Sequence, residues 1–200
     1  MQIWLDAETL NATDSIETAL DAARERAEQT GRLIVEIHAD GSPIPDALLD
    51  DPPAEACGIQ ELRFITVDPV EFMVQTLGDT RASLDSTKAE QTITAGLIQS
   101  GKLSEAIGSL GSILEGWQAA RDVVDQLSEL AGIELGSLDI DGTSGNECIN
   151  GLSHTLGEIR NAVTGEDWSS LGDLLEYELD QQASNWLSLI DTIEHQVRKQ

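Results

Sequence analysis

The segment Asp139-Ile140-Asp141-Gly142 is the part of the sequence most similar to a ligand-binding loop, because alternating carboxylates before a glycine begin many calcium loops. The rest of the segment does not match the twelve positions of a calcium loop. With Gly142 at the sixth position of such a loop, the twelfth position is Cys148, where a bidentate glutamate is required. We therefore expect a polar turn or a short hairpin in this segment, and no calcium site.

The histidines and cysteines do not form a metal-binding pattern. His38, His154 and His195 lie in different predicted elements, and none has a second histidine or cysteine at metal-ligand spacing. Cys57 and Cys148 are far apart in the chain and form no C-x-x-C pair. The sequence predicts neither a metal site nor a disulfide framework.

Catalytic and cofactor motifs are also missing from the sequence. It contains no nucleophile elbow, no phosphate-binding loop and no dinucleotide fingerprint. Carboxylate pairs such as Asp173 with Glu176 are frequent, but in so acidic a chain they arise by chance, and we expect Glu176 to be a solvated surface acid. We predict a non-enzymatic protein with no catalytic, cofactor-binding or metal-binding residues. The alternative is an enzyme or small-ligand-binding protein whose site is assembled from scattered residues.

The charge of the chain limits its partners. Asp and Glu number 37 against 11 Lys and Arg, which gives a formal net charge of -26. Nucleic acids and anionic membranes are thus expected to be repelled, because both are bound through Lys and Arg. Two interpretations of the acidity stay open: a solvated coat, which suits salty surroundings, or a surface that docks a basic partner or mimics nucleic acid. We expect the partner to be another protein with a basic or amphipathic segment. Self-association into a homo-oligomer is an alternative.

The location is predicted from two absent patterns. The first residues include no basic region before an apolar run, so we expect no signal peptide. No apolar stretch approaches the ~20 residues that a membrane-spanning helix needs. A cytoplasmic protein of bacterial type is the resulting expectation.

Residues 1–68 show the pattern of strands around one helix. Asp14 or Ser15 can cap a helix that Gly31 ends, with apolar residues at helical spacing between them. Strands are predicted before it at Ile3-Trp4-Leu5 and after it at Arg32 to Ala39 and Ile59 to Val67, with a loop at Pro52-Pro53. In the strand from Arg32, period two places Leu33, Val35 and Ile37 on one face. We predict a small β-grasp-like α+β module whose sheet packs against the helix.

Residues 69–200 predict an antiparallel four-helix bundle, which makes the whole chain α+β. One helix begins at Pro69 and ends at Ser100-Gly101, and a second runs from near Leu103 to Ala131-Gly132. After an irregular insert near 133–145, a third spans about Asn146 to Val163. Asp167 caps a fourth that continues to about Val197.

Large and small apolar residues give two further expectations for the bundle. The fourth helix carries one stripe of residues that we expect to be buried: Trp168, Leu171, Leu175, Leu179, Trp186, Ile190, Ile193 and Val197. Trp117 is expected in the core with Trp168 and Trp186. The second helix contains Gly108, Gly111 and Gly116, which are either weak points or places where another helix comes close.

The stretch G-x-D-W-x-x-L-x-D-L-L-E-Y-E-L, from Gly165 to Leu179 and followed by Trp186, resembles the closing helical hairpin of an uncharacterised bacterial protein family. This resemblance implies no activity. In size, acidity and helix content the chain is also similar to cytoplasmic flagellar export chaperones, which hold an amphipathic client segment. Our hypothesis is therefore an adaptor-like or chaperone-like protein that binds another protein through an acidic surface.

Overall fold

The computed structural model describes residues 1–11, 15–44 and 58–199. Within them the chain is mixed α/β, with a small sheet near its N-terminus and helices after it. Its contacts divide it into two compact units, Met1–Phe72 and Met73–Gln200. The cap candidate Asp14, the loop at Pro52-Pro53 and Cys57 lie outside the described residues.

The N-terminal unit contains a five-stranded sheet in the order β2-β1-β5-β3-β4. The strands are β1 (Gln2–Leu5), β2 (Glu8–Thr9), β3 (Leu33–Ala39), β4 (Ser42–Pro43) and β5 (Glu61–Val67). β1 runs parallel to β5, with Ile3 opposite Leu62, and the other neighbours are antiparallel. Parallel strands need a crossover connection. The chain between β1 and β5 includes helix α1 (Ile16–Thr30).

Helix α1 begins and ends where its capping residues predict. The Ser15 hydroxyl accepts a hydrogen bond from the backbone N–H of Thr18, and Gly31 closes the helix with a left-handed φ of 64°. Its buried side chains are Ile16, Ala19, Leu20, Ala23 and Ala27. All of them except Ala27 form the core of the unit with apolar residues of β1 and β5, including Leu5 and Phe64. Burial of this apolar face stabilises the unit at about 25 cal/mol per Å² removed from water.

The predicted face of β3 is wrong, because a β-bulge interrupts the strand. The pairing with β5 shifts between Ile34 and Glu36, so Val35 is an extra residue in the ladder. Ile34 and Ile37 consequently both pack against the core. Val35, predicted to share a face with Ile37, is instead 36% exposed. A period-two pattern cannot locate this irregularity, since both faces of the strand carry apolar residues.

The helices that follow are α2 (Pro69–Gln99), α3 (Leu103–Leu130) and α4 (Gly145–Thr164). A short connection joins α2 to α3, whereas the longer one before α4 contains a 3₁₀ turn and the hairpin β6 (Asp139–Ile140) and β7 (Thr143–Ser144). The expected short hairpin is thus present. The predicted single fourth helix is instead α5 (Trp168–Asp173), a π-helical turn (Leu174–Glu178) and α6 (Leu179–Val197).

Two tryptophans meet in the core of the helical unit. Trp117 of α3 and Trp186 of α6 are fully buried, and their rings pack edge to face with centroids 5.9 Å apart. The Trp117 indole N–H donates to the Gln91 side-chain oxygen of α2 at 3.2 Å. The predicted stripe is buried from Leu171 to Val197, and Trp168 is half-buried at its beginning.

Polar contacts connect α2 with α6. Arg81 forms an ion pair with Asp191, and the Lys88 ammonium lies 3.0 Å from Asp180. These pairs are partly exposed, so each adds at most about 1 kcal/mol. Within the described part of the chain, no helix has the length and apolar character required to cross a membrane.

Candidate functional site

An open cleft of about 710 Å³ lies between the C-terminal half of α4 and the segment that runs from Gly165 through the π-helical turn. We call it the acidic cleft. Carboxylates supply much of its polar surface. Its lining residues are Glu158, Asn161, Ala162, Gly165, Asp167, Ser170, Asp173, Leu174, Tyr177 and Glu178.

The tight turn between α4 and α5 positions one edge of the acidic cleft. Glu166 adopts a left-handed φ of 54°, which reverses the chain within a few residues. Asp167 then caps α5, since its carboxylate accepts hydrogen bonds from the Ser170 hydroxyl at 2.7 Å and from the Ser170 backbone N–H at 3.1 Å. These bonds lower the pKa of Asp167, so this carboxylate is ionised at neutral pH.

The π-helical turn shapes the opposite edge. Here the backbone N–H of Leu179 bonds to the carbonyl of Leu174, five residues back. Leu171, Leu175, Leu179 and Ala183 are all buried and recur at intervals of four, which exceeds the 3.6 residues of an α-helical turn. The wider turn absorbs this excess and keeps the residues on one buried face.

Tyr177 is carried outward by the same turn and is 62% exposed at the cleft. The charge of Glu176 is the first cause of a raised pKa at this phenol, and Asp173 adds to it. The hydroxyl is therefore protonated at neutral pH. Glu176 itself accepts a hydrogen bond from the Gln99 amide of α2 at 2.5 Å. The expectation that Glu176 is only a solvated acid is thus wrong.

Negative charge dominates the acidic cleft. Its lining includes Glu158, Asp167, Asp173 and Glu178 and no Lys or Arg. Glu158 lies 3.6 Å from the exposed imidazole of His154. Asp173 and Glu178 form no ion pair within the described chain. The arrangement favours a cation within a Debye length, which is about 8 Å at physiological salt.

The histidines and the described cysteine stay apart in the structure. His38 lies in β3 beside Glu36 at 3.0 Å, while His154 and His195 are exposed on different helices. Cys148 is buried at the beginning of α4, and burial raises the pKa of its thiol. Among the residues that the structure describes, no three His, Cys, Asp or Glu side chains converge as metal ligands do.

Sequence reasoning did not predict the acidic cleft or the π-helical turn beside it. One pattern could have indicated the turn: three successive intervals of four between buried apolar residues from Leu171 to Ala183. A regular α-helix alternates intervals of three and four, as α6 does from Ala183 to Val197. The cleft itself has no local pattern, since Glu158 and Glu178 belong to different helices.

The helical unit that carries the acidic cleft is a family domain. The model of a family described as a domain of unknown function, DUF8042, matches residues 82–189, more than half of the chain. The chain therefore belongs to the DUF8042 family. The match includes every residue that lines the cleft. No curated protein and no solved structure matches the chain.

Proposed function

We propose that this protein is a non-enzymatic interaction module whose acidic cleft receives a basic segment of another protein. The observation that supports this function is the combination of four carboxylates, no lining Lys or Arg, and an exposed tyrosine ring in one cleft. A solvated acidic coat does not by itself require an exposed aromatic side chain among its carboxylates. An aromatic ring among carboxylates is, however, a favourable environment for a bound cation.

Each part of the acidic cleft suits a lysine or arginine side chain. Asp173 and Glu178 offer carboxylates that no described cation neutralises. Leu174 and Ala162 provide apolar surface for the methylene stem. Lysine and arginine bury this stem while their charged group stays in a polar environment. Tyr177 adds a ring face for a cation–π contact. A segment with several cations would therefore bind better than a single free amino acid.

The same proposal includes an architecture that places the cleft on a rigid support. We propose that the helical unit is an antiparallel four-helix bundle, which the α2–α6 ion pairs and the contact between Trp117 and Trp186 support. The strand order and the parallel β1–β5 pair support a β-grasp-like N-terminal module. An adaptor-like or chaperone-like role in a bacterial cytoplasm, with residues 165–179 as a family motif, stays a prediction from the sequence.

Binding of a fluorescein-labelled, lysine-rich amphipathic peptide to the full chain tests this function by fluorescence anisotropy. The variant Asp173→Asn/Glu178→Gln removes two cleft charges without changing side-chain size. We expect it to weaken binding about three- to tenfold, the range for two exposed charge pairs. Tyr177→Ala, added to the double variant, should weaken peptide binding further. Tyr177→Phe should retain the affinity because the aromatic ring is kept.

The matched control is Glu115→Gln/Glu129→Gln, which makes the same change in net charge on the exposed face of α3. It should alter affinity by less than about twofold. Equal losses in both double variants would mean that the peptide senses the overall charge of -26 and not the cleft, and the proposed function would be refuted.

A further inference from the structure

Among the described residues, no strand pairs with the outer edge of β3 over half of its length. β4 pairs only with His38 and Ala39, and the Ile44 N–H adds one bond to the carbonyl of Ile37. From Leu33 to Glu36, the structure describes no strand on the side away from β5. An open edge leaves backbone N–H and C=O groups available to pair with another chain.

Two cavities lie along this edge, and Ile34 and Ile37 contribute to the lining of both. The inner groove, between α1 and β3, has a volume of about 320 Å³ and includes Leu20, Leu33 and Ile34 in its lining. The outer groove, of about 450 Å³, includes Val35, Pro43 and Ile44. Successive side chains of a strand point to opposite faces. A strand added to this edge would therefore place alternate side chains on the α1 side of the sheet, where the inner groove lies, and on the opposite side.

The inner groove is also a local concentration of positive charge in an acidic protein. Arg24 and Arg32 line it together with a single carboxylate, Glu28. Arg32 is already engaged, since it donates to the hydroxyl and the carbonyl of Thr66 at 2.6 and 2.9 Å and lies 3.8 Å from Asp6. Arg24 is exposed and forms no ion pair with any described residue. Its guanidinium is thus available to a carboxylate.

We propose that an extended segment of another protein, with alternating apolar residues followed by an acidic residue, adds as a strand to the open edge of β3. Main-chain hydrogen bonds supply affinity in this mode of recognition, and side-chain grooves supply selectivity. The apolar residues occupy the inner and outer grooves, and the acidic residue binds Arg24. This surface lies outside residues 82–189 and takes a partner of opposite charge to that of the acidic cleft. Failure of one proposal would therefore not refute the other.

The experiment is an NMR titration of the full, ¹⁵N-labelled chain with the synthetic peptide Ac-TVIVDE-NH₂. We expect saturable shift changes at amides of α1 and β3, and slower hydrogen exchange of the Leu33–Glu36 amides in the complex. Arg24→Glu should weaken binding about three- to tenfold, because it replaces an attractive charge by a repulsive one. The peptide Ac-TVIVKR-NH₂ should also bind more weakly than the acidic peptide.

Arg26→Glu is the matched control, since it makes the same charge change on the same helix at a residue that pairs with Glu8. It should leave affinity within about twofold. The proposal is overturned if the peptide shifts no amides of β3, or shifts only those of the helical unit. It is equally overturned if Arg26→Glu weakens binding as much as Arg24→Glu, or if the Leu33–Glu36 amides are already protected in the free protein and no peptide binds.

Discussion

Gly116 of α3 lies close to Thr87 of α2, and a methyl group at Gly116 should destabilise the protein. A Cβ added at Gly116 would lie 2.3 Å from the Thr87 hydroxyl oxygen and 3.2 Å from its methyl carbon. Thr87 is buried, and its hydroxyl donates to the carbonyl of Ser83 at 3.0 Å. The side chain is β-branched, so it can move away only by leaving its rotamer and this bond.

The magnitude follows from two opposing terms. Overpacking a tight contact costs about 1–3 kcal/mol, whereas alanine is favoured over glycine inside a helix by about 1 kcal/mol. Gly116→Ala should therefore lower the free energy of unfolding by about 0–2 kcal/mol. Gly108 and Gly111 lie in the same helix, and a Cβ at either would meet nothing within 4 Å. Gly108→Ala and Gly111→Ala should each stabilise the protein, by up to about 1 kcal/mol.

Urea unfolding followed by circular dichroism measures all three variants under one condition. The contrast between Gly116→Ala and Gly108→Ala should reach about 1–3 kcal/mol. In a Thr87→Ala background the clash is removed, and Gly116→Ala should become neutral or stabilising, with a coupling energy of about 0.5–3 kcal/mol. If Gly116→Ala stabilises the wild-type chain as much as Gly108→Ala does, the close approach of the two helices is incorrect.

Three further outcomes are expected. Leu175→Ala should cost about 2–5 kcal/mol in unfolding free energy, because Leu175 is the buried residue of the π-helical turn. Replacement of the exposed Glu178 by Ala should change it by no more than about 0.5 kcal/mol, and equal penalties would contradict this packing. With a net charge of -26, the melting temperature should rise between very low and moderate NaCl concentration, and a flat curve would mean that the carboxylates are already compensated. Burial raises the pKa of Asp6, but hydrogen bonds from Thr66 and the charge of Arg32 outweigh it and lower that pKa. The stabilising contribution of the Asp6 carboxylate is thus present above about pH 4 and is lost as pH falls through its folded pKa. The difference in unfolding free energy between wild type and Asp6→Asn should therefore shrink in acid. A constant difference from pH 7 to 3 would contradict this prediction.

The Asp6 cluster shows why part of the N-terminal unit could not be predicted. Thr66 is buried in β5 although threonine is polar, because its hydroxyl donates to Asp6 at 2.6 Å and accepts from Arg32. Asp6 and Thr66 are 60 positions apart. A pattern of apolar residues predicts the burial of Leu62 and Phe64 but not that of a threonine whose partners come from distant segments. Long-range partners decide such positions.

The acidic cleft illustrates the same limit for function. Residues 165–179, which resemble part of an uncharacterised family, lie within the DUF8042 match. Neither the resemblance nor the acidity indicates that Glu158 on α4 faces the same cleft as Asp173 and Glu178. The sequence also does not indicate that Arg24 and Arg32 line one groove with β3, because the groove exists only in the folded unit.

What the sequence determined by itself is the set of features that depend on neighbours along the chain. Ser15 and Gly31 bound α1, Asp167 begins α5, and the apolar stripe from Leu171 to Val197 lies on the buried face. Caps and helical periodicity act over a few residues, so the local sequence contains the necessary information. Only the tertiary structure decided the bulge at Val35, the place of Glu158 in the acidic cleft and the difference between Gly116 and Gly108. Each of these results from packing against residues remote in the chain, and many sequences with the same local pattern would pack differently.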